Sequence, residues 1–266
     1  YYAIAFGASI DVEYKVTSGD GKTHKLNVTL NSGDALLGLV HETILNNHSR
    51  FSSKLSLQIH RHFNEMMRAT FEGQALDIGW VTKRTFPDRD EYREMICRKT
   101  GWYSGRGPCQ CGALIAGATD SELEIIGNFG EAIGIGFQVR DDLLNLTEKS
   151  GNKAPSAGAG GYGKERGGDI AEGKRTLITI ELLERLSETD AKRVRSILLA
   201  ERQQVSEADI EWCIARAEST GTLNVAADYC QKQAVLASSA LKKLPEHPAK
   251  ALLGELVDYL TIDRKA

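Results

Sequence analysis

The stretch Ser121–Leu146, SELEIIGNFGEAIGIGFQVRDDLLNL, decides the fold. Ser121 and Glu124 stand three apart ahead of an apolar run. That is the spacing of a capping box, in which side chains satisfy the free backbone N–H groups of a helix start. Nothing in the run breaks a helix, so one long helix is expected to about Leu146. Its far end carries two adjacent carboxylates, Asp141 and Asp142. Asn145 lies one turn beyond Asp141, and Gln138 three residues before it, on the same face.

Helical spacing continues outward on both sides. From Asp34 to Leu45, Leu36, Leu37, Val40 and Ile44 recur at three and four. From Phe51 to Trp80, Leu55, Ile59, Phe63, Met67 and Phe71 recur every four residues. Pro87 breaks the chain, and Asp88 can cap a helix to about Tyr103. Pro108 opens another to Ala118. Segments 175–186, 189–202, 207–219, 223–243 and 247–261 complete the set. Proline is only 5 of 266 residues, which permits helices of this length. Strand signals are confined to Asp11–Val16 and Lys25–Leu30. The expectation is an all-α chain, one domain over 1–266, with a flexible glycine-rich loop at 151–168.

Composition removes several function classes. The chain has 33 basic and 36 acidic residues, a net charge of −3, so no global basic field recruits nucleic acid. No apolar run reaches the length of a transmembrane helix. Five cysteines, odd in number and without CxxC, suit a reducing compartment, and a cytoplasmic location without a secretory signal is expected. Cys109 and Cys111 read as packing residues. His60-x-His62 reads as exposed helix surface.

The chemistry gathers in four places. Two adjacent carboxylates at an apolar helix end repel each other and resist burial unless a cation is present. Asp141 and Asp142 therefore fit either a solvated helix end or a Mg²⁺ site, since Mg²⁺ takes one or two carboxylates and completes its shell with water and phosphate. The segment Gly163–Leu177, GKERGGDIAEGKRTL, brings Lys164, Lys174 and Arg175 around Asp169 across a glycine-rich turn. Lysine is a point charge suited to phosphate. Lys99-Thr100 fits either a favourable helix end or a phosphate contact. Asp77, in GQALDIGW, is either a helix-surface residue or a further ligand.

Together GFQVRDDLLNL, GGDIAEGKRTL, KTGWYSG, GQALD, NSGDALLG and the C-terminal DYLTIDRK resemble the trans-isoprenyl diphosphate synthases. The likeness is to their archaeal-type geranylgeranyl and farnesyl diphosphate synthases and covers about residues 31–266. The resemblance implies the isoprenoid synthase fold, an all-α bundle around a central cavity, and a homodimer. It implies head-to-tail condensation of isopentenyl diphosphate with an allylic diphosphate, assisted by Mg²⁺. On that likeness Asp141, Asp142, Asp77 and Asp169 hold Mg²⁺. Lys99, Thr100, Gln138, Lys164 and Lys174 hold the allylic diphosphate, and Asp141, Asp142, Lys99 and Lys174 carry catalysis.

One family element departs. The first aspartate-rich motif, with its two arginines, corresponds to Ile10-Asp11-Val12-Glu13-Tyr14 and Gly19-Asp20. Only Asp11 and Glu13 could ligate, and both arginine positions are lost. Position 1 is Tyr, and the spacing to Gly33-Asp34 is short, so an incomplete N-terminal part is one expectation. The other is a degenerate motif, which would make the chain a non-catalytic, diphosphate-binding subunit of a heteromeric synthase. A class I terpene cyclase shares the fold and the magnesium chemistry, but KTGWYSG and the EGKRTL lysine belong to the synthases.

Overall fold

The computed structural model describes residues 21–147 and 166–263, and among them every regular element is helical. In chain order these are α1 (Gly21–Asn46), α2 (Ser53–Thr82), α3 (Arg89–Ile96), a π-helical segment (Cys97–Arg106), α4 (Gly107–Ile115) and α5 (Asp120–Thr147). Then follow α6 (Gly168–Ala171), α7 (Leu177–Arg185), α8 (Glu188–Leu199), α9 (Glu207–Ser219), α10 (Thr222–Leu241) and α11 (Pro248–Asp258), with a π turn at Tyr259–Asp263. Two compact units divide the chain, Tyr1–Arg61 and His62–Ala266. No helix among the described residues is long and apolar enough to cross a membrane.

In the first unit, His41 Nδ1 and His60 Nε2 are hydrogen-bonded at 2.8 Å. Lys25–Leu30, expected as a strand, lies inside α1; its weak alternation is outweighed by the helical spacing that follows. The other strand signal, Asp11–Val16, falls outside the described residues, as do Lys164 and most of the 151–168 loop.

The second unit is built on α5. Phe129, Ala132 and Ile133 pack with Ala234, Ala237 and Val257 in one cluster. Ile135, Val139 and Leu143 pack with Ile96, Ile178, Ile214 and Cys230 in another. Burying each large apolar side chain contributes about 1.5–3 kcal/mol, so this double-sided burial fixes α5. Its cap is Thr119 with Glu122, not Ser121 with Glu124. Thr119 N donates to Glu122 at 2.8 Å and Glu122 N donates to Thr119 Oγ1 at 3.3 Å. A threonine two residues earlier offers the same box and captures one more half-turn of helix.

Two further readings change. Phe71 is 48% exposed while Phe63 and Met67 are buried. A strict four-residue repeat drifts about 40° per step on a 3.6-residue helix, so Phe71 has turned toward solvent. His60 and His62 are half-buried, not exposed, and His62 Nε2 lies 3.1 Å from the Gly107 carbonyl. The Asp88 cap stands as expected, closing a box with Glu91.

Candidate active site

The helix expected to end near Tyr103 does not end. It widens into the π-helical segment Cys97–Arg106 and runs on as α4. Lys99 and Thr100 therefore lie mid-helix, and a helix-dipole role for them falls away. π-Helical turns are rare and recur at functional sites. This one is held by close backbone packing. A Cβ on Gly105 would collide with the Gly130 carbonyl, and a Cβ on Gly73 would collide with the Lys99 backbone. Glycine at 73 lets α2 reach the π segment. One turn on, Asp77 Oδ2 pairs with Lys99 Nζ.

The α5 end supplies the facing wall. Asp141, Asp142 and Asn145 are all buried, at 9, 6 and 2% exposure. Both Asp142 oxygens face donors. Gln138 Nε2 donates to Oδ1 at 2.9 Å, and the buried Tyr92 hydroxyl lies 3.4 Å from Oδ2. Thr100 Oγ1 donates to Gln138 Oε1 at 3.3 Å, which links the π segment to α5.

The third wall is the turn that carries Lys174. Asn145 Oδ1 accepts from Asp169 N at 3.2 Å, and Asn145 O accepts from Gly167 N at 2.8 Å. These bonds dock α6 against the α5 end. Lys174 Nζ then pairs with Asp169 Oδ1 at 2.6 Å and with Glu172 at 3.2 Å. Thr176 caps α7 by accepting from Thr179 N at 3.3 Å.

Asp77, Lys99, Thr100, Gln138, Asp142 and Lys174 line one cavity of about 50 Å³, joined by Tyr92, Arg175 and Thr176. Asp141 and Asp169 lie beside it without lining it. A larger cleft of about 730 Å³, bounded by Arg93, Glu131, Leu236 and Lys243, contains none of the expected site residues. Tyr92 and Thr176 were not foreseen. The signal for Tyr92 is slight: an aromatic residue two helical turns before Lys99.

Electrostatics distinguish this cavity. Burial, aided by the nearby Asp169 and Asp141 charges and opposed by Gln138 and Lys174, pushes the Asp142 carboxyl up to about 7. Burial likewise raises Tyr92 well above its usual range, with Asp142 contributing. Burial works against charge on Lys174, but the Asp169 and Glu172 carboxylates outweigh it and raise its pKa. Among the described residues no three His, Cys or carboxylate groups form a ready-made metal cluster. A site with buried, mutually repelling carboxylates and few convergent ligands suits Mg²⁺, which draws the rest of its shell from water and phosphate.

The polyprenyl synthetase family model matches residues 22–216. The short chain isoprenyl diphosphate synthase of Methanothermobacter thermautotrophicus is 30% identical over 230 residues, covering 86% of this chain and 65% of that one. The geranylgeranyl diphosphate synthase of Sulfolobus acidocaldarius is 31% identical over 222 residues, covering 82% and 59%. The chain thus spans roughly half to two thirds of the length of the curated relatives it matches. Among solved structures, the geranylgeranyl pyrophosphate synthase of Corynebacterium glutamicum, complexed with isoprenyl diphosphate and magnesium, superposes with a TM-score of 0.80 at 25% identity. That match covers 93% of this chain and 66% of the other.

Proposed function

The chain belongs to the polyprenyl synthetase family, and we propose that it acts as a short-chain prenyltransferase. It condenses isopentenyl diphosphate with an allylic diphosphate, in the manner of geranylgeranyl or farnesyl diphosphate synthases. The observation that carries this reading is the cavity itself, where two lysines and the Asp142 carboxylate face one another across a buried space.

Lys99 and Lys174 exchange their carboxylate partners for the allylic diphosphate, aided by Lys164. Thr100 and Gln138 orient it. Asp141, Asp142, Asp77 and Asp169 would hold Mg²⁺, which when bound would supply positive charge against the leaving diphosphate and so lower the barrier to its departure. The lysines stabilise the same developing charge as the allylic C–O bond breaks. The isopentenyl double bond then attacks the allylic cation, and a proton is lost from the condensed product. Apolar neighbours such as Met95 and Ile96 keep water from the cation.

The protein works in the cytoplasm as a homodimer. The α2 face carrying Phe71 and Ile78, 48 and 54% exposed and two turns apart, supports a partner copy there. The test is Mg²⁺-dependent conversion of isopentenyl and an allylic diphosphate into longer products by the full-length protein. Product formed only in the presence of a second subunit would instead favour the diphosphate-binding, non-catalytic role that the Asp11 and Glu13 stretch suggests.

A further inference from the structure

A second group of cations lies behind the turn that carries Lys174. Arg84, Lys192 and Arg195, with Ser196 and Glu201, line an open cleft of about 610 Å³ beside the C-terminal end of α8. Arg84 Nη2 donates to the Leu199 carbonyl at 3.0 Å. The Arg195 guanidinium lies 4.7 Å from the centroid of the Phe86 ring. The Arg175 guanidinium, only 1% exposed, lies over the same ring at 4.2 Å.

Among the described residues, neither Arg84 nor Arg195 is ion-paired with a carboxylate. Lys192 pairs with Glu188 at 2.6 Å, while Glu201, the one carboxylate in the lining, accepts from backbone in a capping box with Gln204 and keeps its negative charge. The guanidinium charges therefore act on one another. Burial, with the charges of Arg195 and Arg84 adding to it and Asp77 opposing, lowers the Arg175 pKa to about 10. The partial negative end of α8 offsets some of this, since its Leu198 and Leu199 carbonyls accept from Arg175 and Arg84. The remaining positive charge faces the open cleft. Guanidinium forks match phosphate oxygens two at a time, and Ser196 adds a hydroxyl donor.

We propose that the cleft between Arg84 and Arg195 is a binding site for a phosphate-type anion, inorganic phosphate or diphosphate, separate from the Asp142 cavity. An anion there neutralises the charges that repel Arg175. Arg175 in turn donates to the Thr85 carbonyl at 3.0 Å, the Leu198 carbonyl at 3.2 Å and the Gly173 carbonyl. Gly173 has φ of +64°, and a Cβ there would collide with the Leu198 carbonyl, so the turn is pressed against the end of α8. The anion thus sits where it can stiffen the turn that presents Lys174. Binding itself does not depend on the prenyltransfer reading.

The test is calorimetric titration of inorganic diphosphate, and separately of phosphate, into the full-length protein in low salt with EDTA. The background is Lys99→Ala/Lys174→Ala, which removes two cations of the Asp142 cavity. Saturable binding is expected there, weakening about tenfold or more when Arg84→Ala and Arg195→Ala are added. Should that fourfold variant fold poorly by circular dichroism, Arg195→Gln alone, at an exposed position, is expected to weaken binding several-fold. Absence of saturable binding in the Lys99→Ala/Lys174→Ala background overturns the proposal. So does binding that is unchanged when the arginines are removed.

Discussion

The Asp142 cavity and the Arg84–Arg195 cleft sit on either side of one turn and handle charge in opposite ways. In the cavity each described lysine is matched, Lys99 by Asp77 and Lys174 by Asp169. In the cleft the arginines lean on backbone carbonyls and on a phenylalanine ring instead. On the proposed function, matched lysines must trade partners to receive a diphosphate. Unmatched guanidiniums need no such exchange. Arg175 borders both places, since it lines the cavity and shares the Phe86 ring. The two places thus differ in what holds the charge: carboxylates hold the cavity's lysines, whereas carbonyls and a ring hold the cleft's arginines.

The largest effect should come from breaking the carboxylate side. Asp141→Ala is expected to lower kcat/KM by about a thousandfold or more, since removing one charge-stabilising element costs several kcal/mol in the transition state. Circular dichroism should show an unchanged helix content. Retained turnover would break the assignment of Mg²⁺ to the α5 end.

The next effect is on stability. The Asp142 carboxyl is held up to about 7 against an ordinary 3.8. Between these values the folded chain keeps a proton that the unfolded chain has lost. Stability of metal-free protein therefore falls as pH rises from about 4 to about 7, then levels off. Thermal melts in EDTA should show a higher Tm at pH 5 than at pH 8, and Asp142→Asn should flatten that slope. An identical slope in wild type and variant would remove Asp142 as its source. Mg²⁺ should raise the wild-type Tm more at pH 8 than at pH 5. A smaller change follows from the helix contact. Gly105→Ala puts a methyl against the Gly130 carbonyl, a strain of about 1–3 kcal/mol. Each kcal/mol lowers Tm by about 2–4 °C in a unit of this size. Because Lys99 and Thr100 ride on the same π segment, diphosphate affinity should fall with it.

Most of the helices and the α5 carboxylates were legible in the sequence, because burial and capping write periodic, local signals. Spacing placed Gln138, Asp141 and Asn145 on one helix face with Asp142 adjacent, although it is Asp142 that Gln138 contacts. The π-helical segment was not legible. It packs through Gly105 against Gly130, residues far apart in the chain, and a single glycine in a helix gives no sign of what it touches. The same holds for Gly73, whose contact with the Lys99 backbone brings Asp77 to Lys99. Tyr92 escaped for a related reason: its hydroxyl matters only because the fold carries it to Asp142, fifty residues on. Arg175 was visible as a cation, but nothing local distinguishes a buried guanidinium over Phe86 from a solvated one.

Phe86→Leu gives the smallest expected effect and bears most directly on the contrast between the two sites. The ring attracts both Arg175 and Arg195; such a contact is worth about 0.5–1 kcal/mol at an exposed site such as Arg195 and more where desolvated, as at Arg175. Leucine keeps an apolar side chain but has no negative ring face, so the repulsion among Arg84, Arg175 and Arg195 is less offset. The urea midpoint should fall slightly at low salt. Added salt should recover part of the loss, because screening acts on exposed like charges. Arg195→Gln in the Phe86→Leu background should also recover stability, whereas in the wild-type background it should be near neutral, losing a ring contact as it relieves repulsion. If the loss in Phe86→Leu were instead simple packing, it would be indifferent to both salt and Arg195, and the cleft would no longer differ from the cavity in the way its charge is held.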